Sequence, residues 1–378
     1  MAALNAGLES IFTPAAPLAD RTWLRVGGPA EWLVRPTSVE ELQTVVGRCR
    51  DASAPARVLG GGSNVLVRDE GVKGVVLQLD HEAFGGVRID GTKAIVGGGA
   101  SLASAINETV RGGLAGLDTL VGIPGTIGAA LHHNAGGRGG DIGQWVVEAT
   151  VLTRSGQTIT RRQEDMVFGY RESSLDELAI VEAVFELDSS DPSELTKRMQ
   201  KQWIVSKAAQ PMSHERRGQI FLNPRGMSAG MLIDQAGLKG ASVGGATVSD
   251  KHANFFVASD GATAADLLKL ADLVRRLVLA CREPRPTEGT AVPDPNSAPS
   301  RPTPSRPAAD PLWKLQGRRG LLVSFAVLAI FGLAARGVWE VSRSQVAHSP
   351  QYVLTPSSVT ITPPPAWVGS EVTSEVFR

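Results

Sequence analysis

Residues 58–67 read VLGGGSNVLV, in which three consecutive glycines, Ser63 and Asn64 lie between two apolar segments. A second glycine-rich stretch, GIPGTIG, occupies residues 122–128. Successive glycines let several backbone N–H groups converge on one anion, and Ser63 and Asn64 add side-chain donors. One such loop is more typical of an ordinary turn, but two of them in one chain favour a phosphate-bearing ligand.

Neither loop fits the common nucleotide-binding patterns. A P-loop requires Gly-Lys-Ser/Thr after its first glycines, and the residues that follow Gly62 and Gly128 do not supply it. A dinucleotide fingerprint that starts at Gly97 requires a glycine at position 102, where the sequence has Leu102. The usual mononucleotide and dinucleotide folds are therefore excluded.

Composition sets wider limits on the function. The chain has 378 residues, of which 42% are hydrophobic and 20% are charged, so it can bury more than one core. The formal net charge is zero, which argues against a nucleic-acid-binding protein. Because the sequence contains only Cys49 and Cys281, a disulfide framework and a cysteine zinc site are excluded.

Around the glycine loops, hydrophobic patterns predict alternating strands and helices, as in an α/β or α+β body. Ser38 stands three residues before Glu41, which predicts a capping box at the start of a helix over residues 38–49. Further helices are predicted over residues 102–112, 193–206 and 262–280. Strands are predicted over residues 31–35, 57–60, 65–68, 75–79, 94–96 and 147–153.

The last hundred residues have a different composition. Residues 284–311 include nine prolines, which predicts an extended linker. Basic residues then precede an uncharged run over residues 320–335, and this pattern predicts a transmembrane helix over residues 318–339. A buried helix is the alternative, but a core helix rarely follows such a linker. The basic residues before the span predict that the body is cytoplasmic and anchored to the inner membrane.

Five motifs, in order along residues 8–280, closely resemble the UDP-N-acetylenolpyruvoylglucosamine reductase family, in the shorter of its two types. The motifs are RVGGPAE (Arg25–Glu31), VLGGGSNVLV (Val58–Val67), GLDTLVGIPGTIGAALHHNAGG (Gly116–Gly137), FGYRESSL (Phe168–Leu175) and the stretch AGMLIDQAGLKG to VGGATVSDKHANFFV (Ala229–Val257). Such an enzyme acts in peptidoglycan precursor synthesis.

The resemblance implies an α+β fold with two parts. An FAD-binding body of the vanillyl-alcohol-oxidase (PCMH) type, in two subdomains, would span residues 1–190, and a smaller α+β substrate domain would span residues 191–283. FAD and NADPH are the implied cofactors. The implied FAD contacts are Arg25, Gly27, Gly60, Gly61, Gly62, Ser63, Asn64, Gly122, Ile123, Pro124, Gly125, Thr126, Gly128, Asn134 and Ala135.

The implied reaction transfers hydride from NADPH to the flavin and then to the enolpyruvyl double bond of a UDP-sugar. Arg171, in the Gly-Tyr-Arg motif, would stabilise the negative charge that develops on the substrate. Asn223 would hydrogen-bond the substrate. His132 and His133 are expected near the flavin; a metal site is the weaker alternative because adjacent side chains diverge.

The sequence departs from the family pattern at the proton donor. The family carries serine or cysteine in a GSxFKNP-like segment, and here residues 218–224 read GQIFLNP, with Gln219 at the catalytic position. An amide has no proton that it readily surrenders, so Gln219 would hold a water or the activity would be weak. The second acid is Glu283 or Glu288, and we place Glu288 in the catalytic set.

Two functions are therefore open from the sequence. The first is an FAD-dependent reductase, and the second is a catalytically weakened flavin-binding scaffold in a membrane cell-division complex. The tail supports a membrane context, because residues 340–378 resemble the extracytoplasmic start of FtsQ-type cell-division proteins. Since proteins of that type continue into a further domain, the pattern fits either a true fusion with a short second part or a truncated gene end.

Overall fold

The structure is a computed structural model that describes residues 4–79, 81–137 and 139–282. The predicted linker over residues 284–311, the transmembrane helix over residues 318–339 and the FtsQ-like segment over residues 340–378 lie outside these residues. Glu283 and Glu288 lie outside them as well. Within the described ranges, no helix is both long and apolar enough to cross a membrane.

A mixed four-stranded sheet organises the first part of the chain. Its strands are β1 (Phe12–Pro17), β2 (Pro29–Val34), β3 (Ala56–Val58) and β4 (Val72–Leu77), in the order β1–β2–β4–β3. β1 pairs antiparallel to β2, whereas β2 and β3 both run parallel to β4. Helix α1 (Val39–Asp51) connects β2 to β3 and buries Leu42, Val45 and Val46 in the same core as Val75 and Leu77.

The helix start at Ser38 is close to the prediction. The Ser38 hydroxyl accepts a hydrogen bond from the Glu41 backbone N–H at 3.2 Å. The Glu41 carboxylate, however, accepts from the backbone N–H of Thr37 at 2.7 Å, one residue earlier than a capping box requires.

The predicted strand over residues 65–68 is wrong, because this segment is irregular backbone. The Gly28 N–H donates to the Arg68 carbonyl at 2.8 Å, and a Cβ at Gly27 would lie 2.5 Å from the Val67 carbonyl oxygen. The segment therefore packs tightly against the loop before β2 and does not join the sheet.

A second, antiparallel sheet follows. The next helices are α2 (His81–Phe84), α3 (Leu102–Arg111) and α4 (Ile127–His132). The next strands are β5 (Val87–Asp90), β6 (Lys93–Gly97), β7 (Leu114–Ala115), β8 (Gly136–Gly137), β9 (Gly140–Asp141), β10 (Val146–Leu152), β11 (Thr158–Arg162), β12 (Phe168–Gly169), β13 (Glu172–Ser173), β14 (Ala179–Glu186) and β15 (Asp188–Ser189). The sheet order is β11–β10–β14–β6–β5, and β7–β15, β8–β9 and β12–β13 form small antiparallel pairs.

The two sheets are joined by a shared core. Leu152, Leu178 and Val181 from the second sheet lie in the same buried cluster as Leu42 of α1. A larger cluster lies on the other side of the second sheet, where α3 and α4 cover Val96, Val151 and Phe185. This arrangement leaves the loops after β3 and before α4 facing each other.

Helix α5 (Pro192–Ala209) packs on the N-terminal body, since its Leu195 lies in the same buried cluster as Val96 and Phe185. The rest of the described chain forms a smaller α+β layer. It contains β16 (Arg217–Gln219), α6 (Ala229–Gln235), β17 (Ser242–Val243), β18 (Ala246–Val248), β19 (Phe255–Ala258) and α7 (Ala264–Arg282). The antiparallel sheet has the order β16–β19–β18–β17, and α7 packs on it through Leu267, Leu270 and Val274. Leu24 and Val26, from the N-terminal body, lie in the same core. The boundary between residues 190 and 191 stays a prediction.

Candidate functional site

A cavity of about 550 Å³ lies where the loop after β3 faces the loop before α4. One wall comes from residues 56–65 with Gln78 and Leu79, and the other from Gly98, Gly99, α4 and residues 177–180. Of the residues expected at the cofactor, seven line this cavity: Gly60, Gly61, Gly62, Ser63, Asn64, Thr126 and Gly128.

The two glycine loops touch each other across this cavity. The Ser63 hydroxyl donates to the Pro124 carbonyl at 3.2 Å. A Cβ at Gly61 would lie 3.0 Å from Cα of Gly125, and a Cβ at Gly60 would lie 2.8 Å from Oγ1 of Thr126. The glycines are needed because any side chain at these positions would separate the loops.

Other residues that are expected at the cofactor do not line the first cavity. A Cβ at Gly122 would lie 3.4 Å from the ring of Trp203, and Gly27 packs against Val67. Ala135 is buried in the core under the second sheet, and Ile123 packs against that core. These residues shape the loops, and their contact with a cofactor stays a prediction.

Asn134 holds the hairpin that carries Arg171. Its backbone has a positive φ of 44°, and its side chain is buried. The amide nitrogen donates to the Gly169 carbonyl at 2.8 Å, and the amide oxygen accepts from the Gly143 N–H at 3.1 Å. Asn134 thereby ties the β12–β13 pair to the end of α4.

Arg171 lies in the turn between β12 and β13, with a φ of 62°. The hairpin is fixed by the Ser173 hydroxyl, which donates to the His132 carbonyl at 3.1 Å. The neighbouring Tyr170 hydroxyl accepts a hydrogen bond from the Asn223 backbone N–H at 3.2 Å. The structure therefore brings the Gly-Tyr-Arg motif against the segment that contains Gln219 and Asn223.

His133 lines the cavity beside this hairpin. Burial lowers its pKa, and the charges of His132 and Arg171 act in the same direction. The neutral imidazole is therefore the favoured form at neutral pH. In the part of the chain that the structure describes, no cluster of histidine, cysteine and carboxylate side chains could hold a metal ion.

A second cavity, of about 560 Å³, adjoins the first. The two share Arg21, Gly60, Gly61 and Gln78 in their linings. The second cavity is also lined by Trp23, Arg25, Glu215 and Arg217. Arg25 pairs with Glu215 at 3.6 Å, and the Arg217 guanidinium lies 5.0 Å from the centre of a Trp23 ring.

Gln219 is exposed at the end of β16, two residues after Arg217. Because alternate strand residues share a face, Gln219 lies on the side of β16 that presents Arg217 to the second cavity. The amide oxygen of Asn223 accepts from the Ala229 N–H at 2.9 Å, at the start of α6, and its contact with the substrate stays a prediction.

Several residues at these cavities have no counterpart in the sequence predictions. Arg21 lines both cavities and donates to the Gln78 side chain at 2.9 Å. Its place just before the RVGGPAE motif is a signal that could have pointed to it. Arg57, Arg154 and Glu177, by contrast, come from three distant segments, and no local pattern marks them.

The residues of the first cavity fit a dinucleotide. The glycines at positions 60–62 and 98–99 place bare backbone in the lining, where its N–H groups can approach a diphosphate, and Arg21, Arg57 and Arg154 supply positive charge. Its volume lies within the range of ordinary cofactor pockets.

This fold and cavity define an FAD-binding protein, and residues 30–161 match the family model described as FAD binding domain. Residues 210–283 match the model described as UDP-N-acetylenolpyruvoylglucosamine reductase, C-terminal domain. The reductase 2 of Symbiobacterium thermophilum is 42% identical over 266 residues, which cover 70% of this chain and 86% of the relative. The reductase of Heliobacterium modesticaldum is also 42% identical, over 70% of this chain and 85% of its own.

A solved structure agrees with these sequence matches. The crystal structure of the reductase from Thermus caldophilus is 39% identical and covers 69% of this chain and 93% of its own, with a TM-score of 0.62. The chain belongs to the UDP-N-acetylenolpyruvoylglucosamine reductase family.

Proposed function

We propose that this protein uses NADPH to reduce UDP-N-acetylglucosamine enolpyruvate to UDP-N-acetylmuramate, a step of peptidoglycan precursor synthesis. The observation that carries the proposal is the pair of adjoining cavities at Gly60 and Gly61. The first cavity fits a dinucleotide. The second cavity is lined by Arg25 and Arg217, which can bind a negatively charged substrate. Family membership supports the same reaction in this chain.

Bound FAD would supply the hydride relay between NADPH and the substrate double bond. The chain's own residues would orient the substrate and stabilise its charge. We assign Arg171 to the substrate carboxylate, since a guanidinium is permanently charged and binds carboxylates through two parallel hydrogen bonds. The hairpin that Asn134 and Ser173 hold supports this role, because it fixes the arginine before substrate binds.

The proton for the second carbon requires a different source from a serine hydroxyl. We propose that Gln219 binds and orients a water molecule that delivers this proton, because an amide itself is not an acid. The exposed position of Gln219 at the end of β16 supports access to solvent. Glu288, our choice for the second acid, lies outside the described residues and stays a proposal.

The full chain with its flavin provides the test. A yellow protein that consumes NADPH only when UDP-N-acetylglucosamine enolpyruvate is present would support the reductase. A yellow protein without substrate-dependent NADPH oxidation would favour the flavin-binding scaffold. A colourless protein that takes up no added FAD would contradict both.

We also propose that residues 318–339 attach the protein to the inner membrane, with residues 340–378 facing extracytoplasmic cell-division proteins. Lys314, Arg318 and Arg319 before the uncharged run support this orientation. Membrane fractionation should place the full chain with the vesicles and a chain that ends at residue 311 in the supernatant. Recovery of the full chain in the supernatant would contradict the anchor.

A further inference from the structure

Asp118 is a fully buried carboxylate just before the second glycine loop, in the single helical turn Leu117–Leu120. No step proposed above uses this carboxylate. Its Oδ1 accepts hydrogen bonds from the Gly116 N–H at 2.9 Å and from Nη2 of Arg198 at 2.8 Å. Its Oδ2 accepts from Nε of Arg198 at 2.6 Å. Arg198, on α5, therefore holds both oxygens in the two-bond geometry of a strong ion pair.

The turn that contains Asp118 determines where the second glycine loop begins. The Asp118 carbonyl accepts from the Val121 N–H at 3.2 Å, and the Leu120 carbonyl accepts from the Ile123 N–H at 3.1 Å. These bonds connect the turn without a break to the second residue of GIPGTIG. The backbone position of the loop therefore follows that of Asp118.

Helix α5 contacts this loop at a second point. A Cβ at Gly122 would lie 3.4 Å from the Trp203 ring and 3.6 Å from Cβ of Ser206. Leu195, which precedes Arg198 by about one helical turn, is buried in the same core as the two leucines of the Asp118 turn. One face of α5 therefore lies along both the turn and the start of the loop.

The other end of the loop belongs to the first cavity. Thr126 and Gly128 line that cavity, and the Pro124 carbonyl accepts from the Ser63 hydroxyl of the first glycine loop at 3.2 Å. The contact with α5 and the cavity wall are thus two ends of one short loop. A change in the support at α5 should therefore alter the wall that faces the cofactor.

We propose that Arg198 is a positioning residue for the FAD site: through its ion pair with Asp118, it holds the GIPGTIG loop in the conformation that binds FAD. This inference rests on the proposed function, because it requires FAD in the first cavity. Arg198 does not line that cavity, so it acts through Asp118 and the loop. Without the ion pair, only a fraction of the folded protein has the loop in place, and FAD affinity falls by that fraction.

The test titrates the full-length protein, stripped of flavin, with FAD and follows the quenching of flavin fluorescence. Arg198→Met should weaken FAD binding about 10- to 100-fold, the range for losing a hydrogen bond to a charged group. Arg198→Lys keeps the charge but not the two parallel bonds, so it should restore part of the affinity. Lys197→Met, which removes an exposed pair with Glu194 on the same helix, is the matched control and should bind FAD like the wild type.

A second control separates loop positioning from a general loss of stability. Asp266 accepts from the Gly245 and Thr263 N–H groups in the C-terminal layer, so Asp266→Ala destabilises the protein away from the first cavity. At a temperature where each apoprotein is folded, such a loss does not change the Kd for FAD. The visible circular dichroism of bound flavin reports on the cavity wall. It should change in Arg198→Met and stay as in the wild type in Asp266→Ala.

Unchanged FAD affinity in Arg198→Met, or an equal loss in Asp266→Ala, would overturn the assignment. If Arg198→Met does not fold, the same measurements are made on Arg198→Met/Asp118→Asn, which removes both charges and keeps an acceptor for the Gly116 N–H. This double variant should also bind FAD more weakly than the wild type, and wild-type affinity in it would overturn the assignment. Wild-type protein that binds no FAD would contradict the proposed function itself, and the two failures are thereby distinguished.

Discussion

At the scale of single residues, Gln219 is the position at which we predict the chain to differ most from its family's chemistry, because the sequence motif places it at the proton donor. A glutamine amide does not act as a proton donor, whereas a serine hydroxyl in the same place does. We expect Gln219→Ser to raise kcat by about 10-fold or more, because a positioned general acid contributes about 10²- to 10⁴-fold. The measurement is NADPH oxidation with saturating substrate. Gln219→Ala is the control and should lower the rate.

A serine variant that keeps its flavin and fold but gains no activity would contradict this role for Gln219. A second comparison separates positioning from chemistry. If the glutamine orients a water, Gln219→Ala should change kcat more than KM.

Single residues are predictable from the sequence where the chemistry is local and are not predictable where it depends on distant partners. Residues 60–64 line the first cavity because consecutive glycines determine the local backbone, and their contact with a phosphate-bearing ligand stays a prediction. Glu177 was not predicted because its ion pair with Arg161 and its place in the lining of the first cavity depend on segments that meet only in the fold. The side-chain oxygen of Asn223 accepts a hydrogen bond at the start of α6, a contact that no local pattern reveals, and its predicted contact with the substrate stays a prediction.

At the scale of elements, Gly62 decides the shape of the first glycine loop. Its φ is 66°, and a Cβ there would collide with the carbonyl oxygen of Arg21. We expect Gly62→Ala to abolish FAD binding, since a left-handed conformation costs about 1–2 kcal/mol for a residue with a side chain, before the collision is counted. Flavin content after purification and FAD titration provide the measurement.

The matched control is Gly47→Ala in α1, where a Cβ would meet no heavy atom within 4 Å. This change should leave FAD binding intact and stabilise the protein by up to about 1 kcal/mol, because alanine favours helix. Full FAD binding in Gly62→Ala would show that the loop tolerates a side chain.

Helices were predicted more accurately than short strands. The expected helix over residues 102–112 corresponds to α3, and the one over residues 262–280 to α7, because long amphipathic patterns identify helices from local sequence. The β12–β13 hairpin, with two residues in each strand, was not predicted. So short a pair is held by Asn134 from another segment, and its own pattern carries little information.

The C-terminal layer contains a histidine that should make stability depend on pH. His252 is half-buried, its Nδ1 accepts from the Asn254 N–H at 3.2 Å, and its ring lies 5.1 Å from that of Phe255. Burial is the main cause that lowers its pKa below the ordinary value of 6.5, with the charge of Lys239 acting in the same direction. The folded state therefore favours the neutral ring.

The contribution of His252 is fully present above pH 6.5, the ordinary value, and decreases as the pH falls from there through the lower folded-state pKa. We expect the free energy of unfolding, measured by denaturant titration, to fall with acidification in this window. In His252→Gln the slope should be smaller, whereas His214→Gln, at an exposed loop position, should leave it unchanged. An identical slope in His252→Gln would exclude His252 as its source.

At the scale of the whole molecule, Asp69 connects the N-terminal body to the C-terminal layer. Its two carboxylate oxygens accept from the Ala264 and Ala265 N–H groups, at 2.8 and 3.0 Å. These donors belong to the first turn of α7, whose own helix bonds leave them without partners. A residue nearly two hundred positions earlier therefore caps the helix that covers the β16–β19 sheet.

We expect Asp69→Ala to lower the free energy of unfolding by about 1 kcal/mol, the usual cost of losing a helix cap. Hydrogen exchange should become faster in the first turn of α7 and stay unchanged in α1, which lies in the other core. The exposed neighbour Glu70→Ala should change neither quantity. The C-terminal layer also contains β16, which carries Arg217 and Gln219. A less firmly attached layer should therefore raise KM for the UDP-sugar, while FAD stays bound to the N-terminal body. Unchanged exchange in α7 would mean that Asp69 does not hold the two parts together.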